Sequence, residues 1–83
     1  MDEYANVPQE TIERIRDYAD RRIPPGDFLR SVLTNDLMQT VQRADLKNLK
    51  ALREICMYVF WEIPAMCWGT MERYESWLKG GKK

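Results

Sequence analysis

Histidine is absent from the chain, and its absence removes both the commonest general base and the commonest metal ligand. Hydroxyl groups such as those of Ser31 and Ser76 are left without a base to activate them. The carboxylate pairs Glu10 with Glu13 and Glu72 with Glu75 sit among opposite charges, as solvated helix faces do. Cysteine is scarce too. Cys56 and Cys67 are separated by a helix end and Pro64, a spacing that matches neither a disulfide framework nor a zinc site. Both are expected to be reduced, with Cys56 a small core residue. No aspartate-rich loop for calcium is present. The expectation is a protein with no catalytic residue, no metal site and no cofactor.

Long hydrophobic runs are also missing. The longest uninterrupted one covers residues 55–61, against roughly 20 residues needed to span a bilayer. The acidic start, Met1-Asp2-Glu3, is unlike a signal peptide. Together these predict a cytoplasmic protein that does not engage a membrane. Neither sign of charge is in excess, with 13 Lys plus Arg against 13 Asp plus Glu. Long-range attraction to nucleic-acid phosphates is therefore not built in, and a DNA mimic would need an acidic surplus. Strand-like alternation, internal repeats and low-complexity stretches are all lacking.

What is present points to helices. Hydrophobic residues make up 45% of the 83 residues and charged residues 31%, the balance of a globular chain with a packed core. The length fits one domain, residues 1–83, with flexible ends at 1–7 and 80–83. So small a core is marginal by itself, which predicts a homo-oligomer. Pro8 suits a first helical position, and Ile12, Ile15, Ala19 and the stem of Arg22 share a face, predicting a helix over residues 8–22. Glu10 with Arg14, Arg16 with Asp20 and Asp17 with Arg21 are opposite charges at i,i+4. Pro24-Pro25-Gly26 makes a stiff corner. Phe28, Leu29, Val32 and Leu33 then mark a short helix, and Asn35 is placed to cap another that carries Leu37, Met38 and Val41.

Asp45 is read as the cap of the longest helix, whose Leu46, Leu49, Leu52, Ile55, Cys56, Val59, Phe60 and Ile63 keep helical spacing until Pro64. Thr70 caps a last helix with Met71, Tyr74, Trp77 and Leu78 inward, ended by Gly80-Gly81, with Lys79, Lys82 and Lys83 at its negative end. The architecture expected is an all-α, compact bundle of four to five short helices with one long central helix.

Three features stand out as candidate sites. Gly26 and Gly69 each precede a helix start, so the backbone amides there, with Arg30 after the first and with Trp68, Thr70 and Arg73 around the second, form candidate anion sites. Ordinary turn and cap chemistry explains the same residues. Aromatic residues are in surplus, with three Trp, four Tyr and two Phe, and Tyr58 and Trp61 fall off the main stripe. With Met66 they form a candidate partner surface. Residues 28–44 also fit a helix-turn-helix presenting Gln39, Gln42 and Arg43, but acids near the start of its second helix and zero net charge speak against DNA reading.

Ile23-Pro24-Pro25-Gly26-Asp27-Phe28-Leu29-Arg30-Ser31-Val32-Leu33-Thr34-Asn35-Asp36-Leu37, Arg43-Ala44-Asp45, Tyr58-Val59-Phe60-Trp61-Glu62-Ile63-Pro64, Cys67-Trp68-Gly69-Thr70 and Trp77-Leu78 resemble a family of small uncharacterised proteins encoded by tailed bacteriophages, prophages and their hosts. The resemblance covers roughly residues 8–79. In that family the turn after the long helix reads tryptophan-glycine-serine-proline-glutamate, whereas this chain has Trp68-Gly69-Thr70-Met71-Glu72. The resemblance implies a non-enzymatic phage-type accessory protein that counters bacterial immunity by binding. It would act in the host cytoplasm, either sequestering a small anionic nucleotide signal or blocking a bacterial defence protein. In the first case Arg30 and Arg73 would hold phosphates and Trp68 would stack on a base. In the second, Tyr58, Trp61 and Met66 would meet the partner. The alternative is a small structural or transcription-linked factor acting through helix-mediated assembly or DNA.

Overall fold

A computed structural model describes residues 4–80. The sequence Met1-Asp2-Glu3 and residues Gly81, Lys82 and Lys83, which belong to the expected flexible ends, lie outside the described residues. Pro8 (φ −54°) sets the entry to helix α1, Gln9–Arg21, and its carbonyl accepts the amides of Thr11 and Ile12, as a proline just ahead of a helix should. Thr11, Ile15, Tyr18 and Ala19 form the buried face. Glu10 pairs with Arg14 at 2.8 Å and Arg16 with Asp20 at 3.0 Å on the exposed side. The helix ends at Arg22 in the left-handed conformation (φ 59°).

Helix α2, Asp27–Leu33, follows Gly26, and the chain between α2 and α3, Leu37–Arg43, turns at Asn35 with φ 63°. This corrects the expected cap. Asparagine tolerates the left-handed conformation, so Asn35 terminates α2, and it is Asp36 whose carboxylate accepts the Gln39 amide at 3.2 Å. Asp45 caps the next helix as expected, accepting the Asn48 amide at 2.9 Å. That helix, however, is divided. Helix α4, Leu46–Lys50, gives way at Ala51 (φ −104°, ψ 16°) to α5, Leu52–Glu62. The Ala51 amide bonds to the Asn48 carbonyl three residues back rather than four, a tighter turn that resets the phase of the buried face. A single 3-10 turn, Ala65–Cys67, then leads to α6, Met71–Leu78, whose first turn is capped by Thr70 accepting the Arg73 amide at 3.0 Å. Among the described residues every regular element is helical, six α-helices and one 3-10 turn.

The reset at Ala51 decides what is inside. The sequence stripe runs through Leu46, Leu49, Leu52, Ile55, Cys56, Val59, Phe60 and Ile63, and of these Ile55, Val59 and Ile63 are buried as expected. In the structure Ala51, Ile55, Tyr58, Val59 and Ile63 face the core, while Leu46, Leu49, Cys56 and Phe60 are exposed and Leu52 is half-buried. The inward line thus keeps one edge of the expected stripe, Ile55, Val59 and Ile63, and adds Ala51 and Tyr58 in place of Leu46, Leu49, Cys56 and Phe60. Cys56 is therefore a surface thiol, not a core residue. Ile15, Tyr18, Leu33, Ile55 and Cys67 are the fully buried centre. Part of the segment expected to be flexible is packed: Val7 is buried, and the Tyr4 ring meets Tyr58 edge to face at 5.0 Å.

Tyr18 ties the first helix to the last. Its hydroxyl donates to the Cys67 carbonyl at 2.7 Å, its ring stacks on Tyr74 with centroids 5.4 Å apart, and its carbonyl accepts the Trp77 indole N–H at 3.0 Å. The Arg22 guanidinium lies 4.1 Å from the centroid of the Trp77 ring, a cation–π contact. The radius of gyration is 11.8 Å, about that of any folded chain of this length. The molecule is nonetheless a disc, 33 × 29 × 17 Å, only about two helices thick. A disc has much surface for its volume, which is why so many apolar side chains stay outside.

Candidate functional site

The two glycine-led turns are built differently from each other. Gly26 holds φ 99°, ψ 168°, a conformation essentially confined to glycine, and this lets the corner after Pro25 enter α2. Asp27 at the start of that helix accepts from Arg43 at 3.2 Å, and Arg43 also donates to Gln39 at 2.8 Å. Arg30 is exposed, and among the described residues its guanidinium has the Met71 sulfur, at 3.8 Å, as its one partner. These side chains surround a shallow pocket of about 230 Å³ between α2, α3 and the start of α6. Its hydroxyls are turned back on the backbone: Ser31 donates to Phe28, and Thr34 to Arg30.

At the second turn the expected anion-binding groups are occupied within the fold. The Gly69 amide donates to the Leu33 carbonyl at 2.7 Å. Thr70 caps α6. Arg73 donates to the carbonyls of Ala65 at 3.3 Å and Trp68 at 3.4 Å. Trp68 donates its indole N–H to Ile63 at 3.1 Å and tilts against Phe60 with centroids 5.8 Å apart. Two carbonyls are thus gathered onto one guanidinium, an arrangement that braces the turn. Each of Trp68, Gly69, Thr70 and Arg73 therefore has a partner within the turn or the fold.

The aromatic surface has a changed membership. Tyr58, expected on it, is buried at 9% exposure because the phase of α5 turns its ring toward Tyr4. Trp61 and Met66 are exposed, at 64% and 54%. Phe60, assigned to the core by its spacing, joins them instead at 56% exposure, edge to face with Trp61 at 4.9 Å. Further apolar side chains, Leu37, Met38 and Val41 on α3 with Leu46 and Leu49 on α4, are exposed as well. The sequence carried one signal of this. Short helices with apolar residues on more than one face have more hydrophobic surface than a thin molecule can bury.

Burial pushes the Cys67 thiol up to about 11 and raises the Tyr74 hydroxyl, and partial desolvation by its neighbours raises the Cys56 thiol although the residue reaches the surface. All three hold their protons at neutral pH, whereas a nucleophilic cysteine needs the opposite shift. Among the described residues no group of three or more Cys, Asp or Glu side chains is placed to hold a metal ion. No helix among them is long and apolar enough to cross a membrane. No family model, curated protein or solved structure matches the chain.

Proposed function

We propose that the protein is a non-enzymatic binding protein that acts by covering part of a partner protein, with Phe60, Trp61 and Met66 as the contact. The observation that carries this reading is the exposure of Trp61 on the last turn of α5, braced edge to face by an equally exposed Phe60. Tryptophan is enriched among the few side chains that dominate protein interfaces, and an aromatic pair held by its own packing loses little freedom on binding. In the setting implied by the sequence resemblance, the partner is a bacterial defence protein and the effect is to block it. The nucleotide-sequestering form of the same reading draws less support, since Gly69, Thr70 and Arg73 already have internal partners and only Arg30 is left with a thioether as its neighbour. Self-association through the remaining exposed apolar side chains belongs to the same proposal, because a disc this thin gains core by pairing.

The test is co-purification from host cells that carry defence systems, comparing the wild-type protein with Trp61→Ala, Phe60→Ala, Arg30→Ala and Arg73→Ala. The expected result is a stoichiometric host protein lost in the two aromatic variants and kept in the two arginine variants. A preparation that carries nucleotide instead, released by Arg30→Ala, would overturn the protein-blocking reading in favour of sequestration.

A further inference from the structure

Trp61 forms one wall of a shallow hollow of about 750 Å³, whose other lining residues are Tyr4, Arg53, Glu54, Met57 and Glu62. Met57 and Trp61 stand at i,i+4 and Glu54 one turn before Met57, so the three rise along one side of α5. Glu62 is the last residue of the helix. Glu54 and Met57 are half-buried, whereas Trp61, at 64% exposure, and Glu62 reach into solvent. The Tyr4 ring, edge to face on Tyr58, supplies the wall that α5 does not.

The lining holds two carboxylates, Glu54 and Glu62, against one guanidinium, Arg53, so its formal charge is negative by one. None of the three takes part in an ion pair among the described residues. Glu62 also stands at the negative end of the α5 dipole, in a last turn without a basic residue, where a cation is favoured and a carboxylate is not. Beside it the Trp61 ring faces solvent, and tryptophan offers a cation the most attractive of the aromatic faces. The fold makes this contact once already, with the Arg22 guanidinium 4.1 Å from the Trp77 centroid. The indoles differ in one further respect. Those of Trp68 and Trp77 donate to the carbonyls of Ile63 and Tyr18, whereas the Trp61 N–H has no acceptor among the described residues.

We propose that the hollow receives an arginine of the partner protein, its guanidinium on the face of Trp61 and paired with Glu62. Glu54, two turns back along α5, adds to the negative field, and the Trp61 N–H donates to a backbone carbonyl of the same segment. The inference rests on the reading of Trp61 as part of a protein contact and names the chemistry that this contact selects. Arginine fits better than lysine because its planar group both stacks on a ring and forks onto a carboxylate. Nucleotide phosphates and anionic lipids meet a field of their own sign. Among the described residues no third acid or cysteine joins the two carboxylates to hold a metal ion. A second copy could set its Arg53 against Glu62, but it would leave Glu54 unpaired.

The probe is the peptide acetyl-Gly-Arg-Leu-Arg-Gly-amide, titrated at low ionic strength into the isotope-labelled full chain and followed by nuclear magnetic resonance. Saturable shifts are expected at the Trp61 indole N–H and at the amides of residues 53–62, and not at the Trp77 indole. The dissociation constant should lie near or below about 1 mM and rise with salt. The double variant Glu54→Gln, Glu62→Gln should bind at least about fivefold more weakly, and Arg53→Gln about twofold more tightly, the scale of exposed charge pairs. Both should melt as the wild type does, since these side chains have no ion pair to lose. Trp61→Ala should abolish binding, as should Gln in place of Arg in the peptide. The proposal is overturned by an absence of saturation up to about 5 mM peptide, or by a double variant that binds as wild type. It is equally overturned if sedimentation shows a dimer that Arg53→Gln dissociates, which would give the hollow to a second copy. In the co-purification, a host protein lost from Trp61→Ala but kept by the double variant overturns this inference and leaves the reading of Trp61 standing. No host protein with the wild type counts against that reading alone.

Discussion

Replacing Tyr18 by phenylalanine removes a single oxygen from the centre of the protein and leaves the ring in place. The ring is fully buried and stacked on Tyr74, so packing and aromatic contact are retained. What is lost is the bond from the hydroxyl to the Cys67 carbonyl at 2.7 Å; the contact to the Tyr74 carbonyl, at 3.4 Å, is too long to add much. Among the described residues the Tyr18 hydroxyl is the one donor from another element to the Cys67 carbonyl, and the residue is fully buried. A buried carbonyl stripped of its partner costs about 1–3 kcal/mol. At roughly 4–8 °C per kcal/mol for a domain of this size, Tm should fall by about 10 °C. Urea denaturation followed by far-ultraviolet circular dichroism should show a lower midpoint at unchanged slope, since the surface exposed on unfolding is the same. Tyr18→Ala sets the scale, at about 3–5 kcal/mol for losing the ring as well. A loss below about 0.5 kcal/mol for Tyr18→Phe would mean that water reaches the Cys67 carbonyl, and the account of Tyr18 as the tie between α1 and α6 would fail.

Leu33→Ala and Ile55→Ala, at fully buried positions, should each cost about 2–5 kcal/mol in denaturant melts, whereas Leu46→Ala on the surface should stay within about 0.5 kcal/mol. Similar losses at Leu46 and Ile55 would restore the unbroken stripe read from the sequence. Gly26→Ala should cost about 1–3 kcal/mol in the same melts, because φ 99° with ψ 168° strains any side chain; a neutral effect would show that the corner relaxes. Stability should fall at alkaline pH. The Cys67 thiol is held up at about 11 in the fold against an ordinary value near 9. The folded state therefore keeps this proton longer than the unfolded state, and the stabilisation is complete below pH 9 and lost as pH rises toward 11, at up to about 1.4 kcal/mol per pH unit. Cys67→Ala should lessen the fall of the urea midpoint across that window without abolishing it, because Cys56, Tyr18 and Tyr74 are also raised in the fold, and an unchanged slope would refute the assignment.

The parts of the fold legible in the sequence are those set by local chemistry. Asp45 and Thr70 cap because a short acceptor stands three residues ahead of an amide that needs one, and the helices at residues 9–21 and 71–78 announce themselves by period. Asn35 and Asp36 are both good caps in isolation. Only the left-handed turn at Asn35 separates their roles. The central segment defeats a period-based reading for a different reason. Leu49, Leu52, Cys56 and Phe60 lie on one helical line, and Ala51, Ile55, Tyr58 and Ile63 lie on the next. The helical period admits Ile55, Val59 and Ile63 along with the first line, and the tighter turn at Ala51 and the packing of Tyr4 on Tyr58 select the second. At the candidate site, Arg73 was legible as a cation beside a helix start. That its guanidinium turns back onto the carbonyls of Ala65 and Trp68 depends on the path of the 3-10 turn, which no local pattern specifies.

The arrangement around Tyr18 also bears on the order in which this protein acquires its structure during synthesis. Its hydroxyl partner lies 49 residues downstream and the indole that bonds its carbonyl 59 residues downstream. Helix α1 therefore leaves the ribosome long before the groups that hold Tyr18 exist, while α2 and α3, neighbours in both sequence and space, have their contacts to hand at once. Contacts of such separation form slowly, and apolar surface awaiting them is open to chaperones, proteases and other nascent chains. A chain interrupted within α5 would not be a smaller version of this protein. It would lack the Cys67 carbonyl, the Tyr74 ring and the Trp77 indole that hold Tyr18.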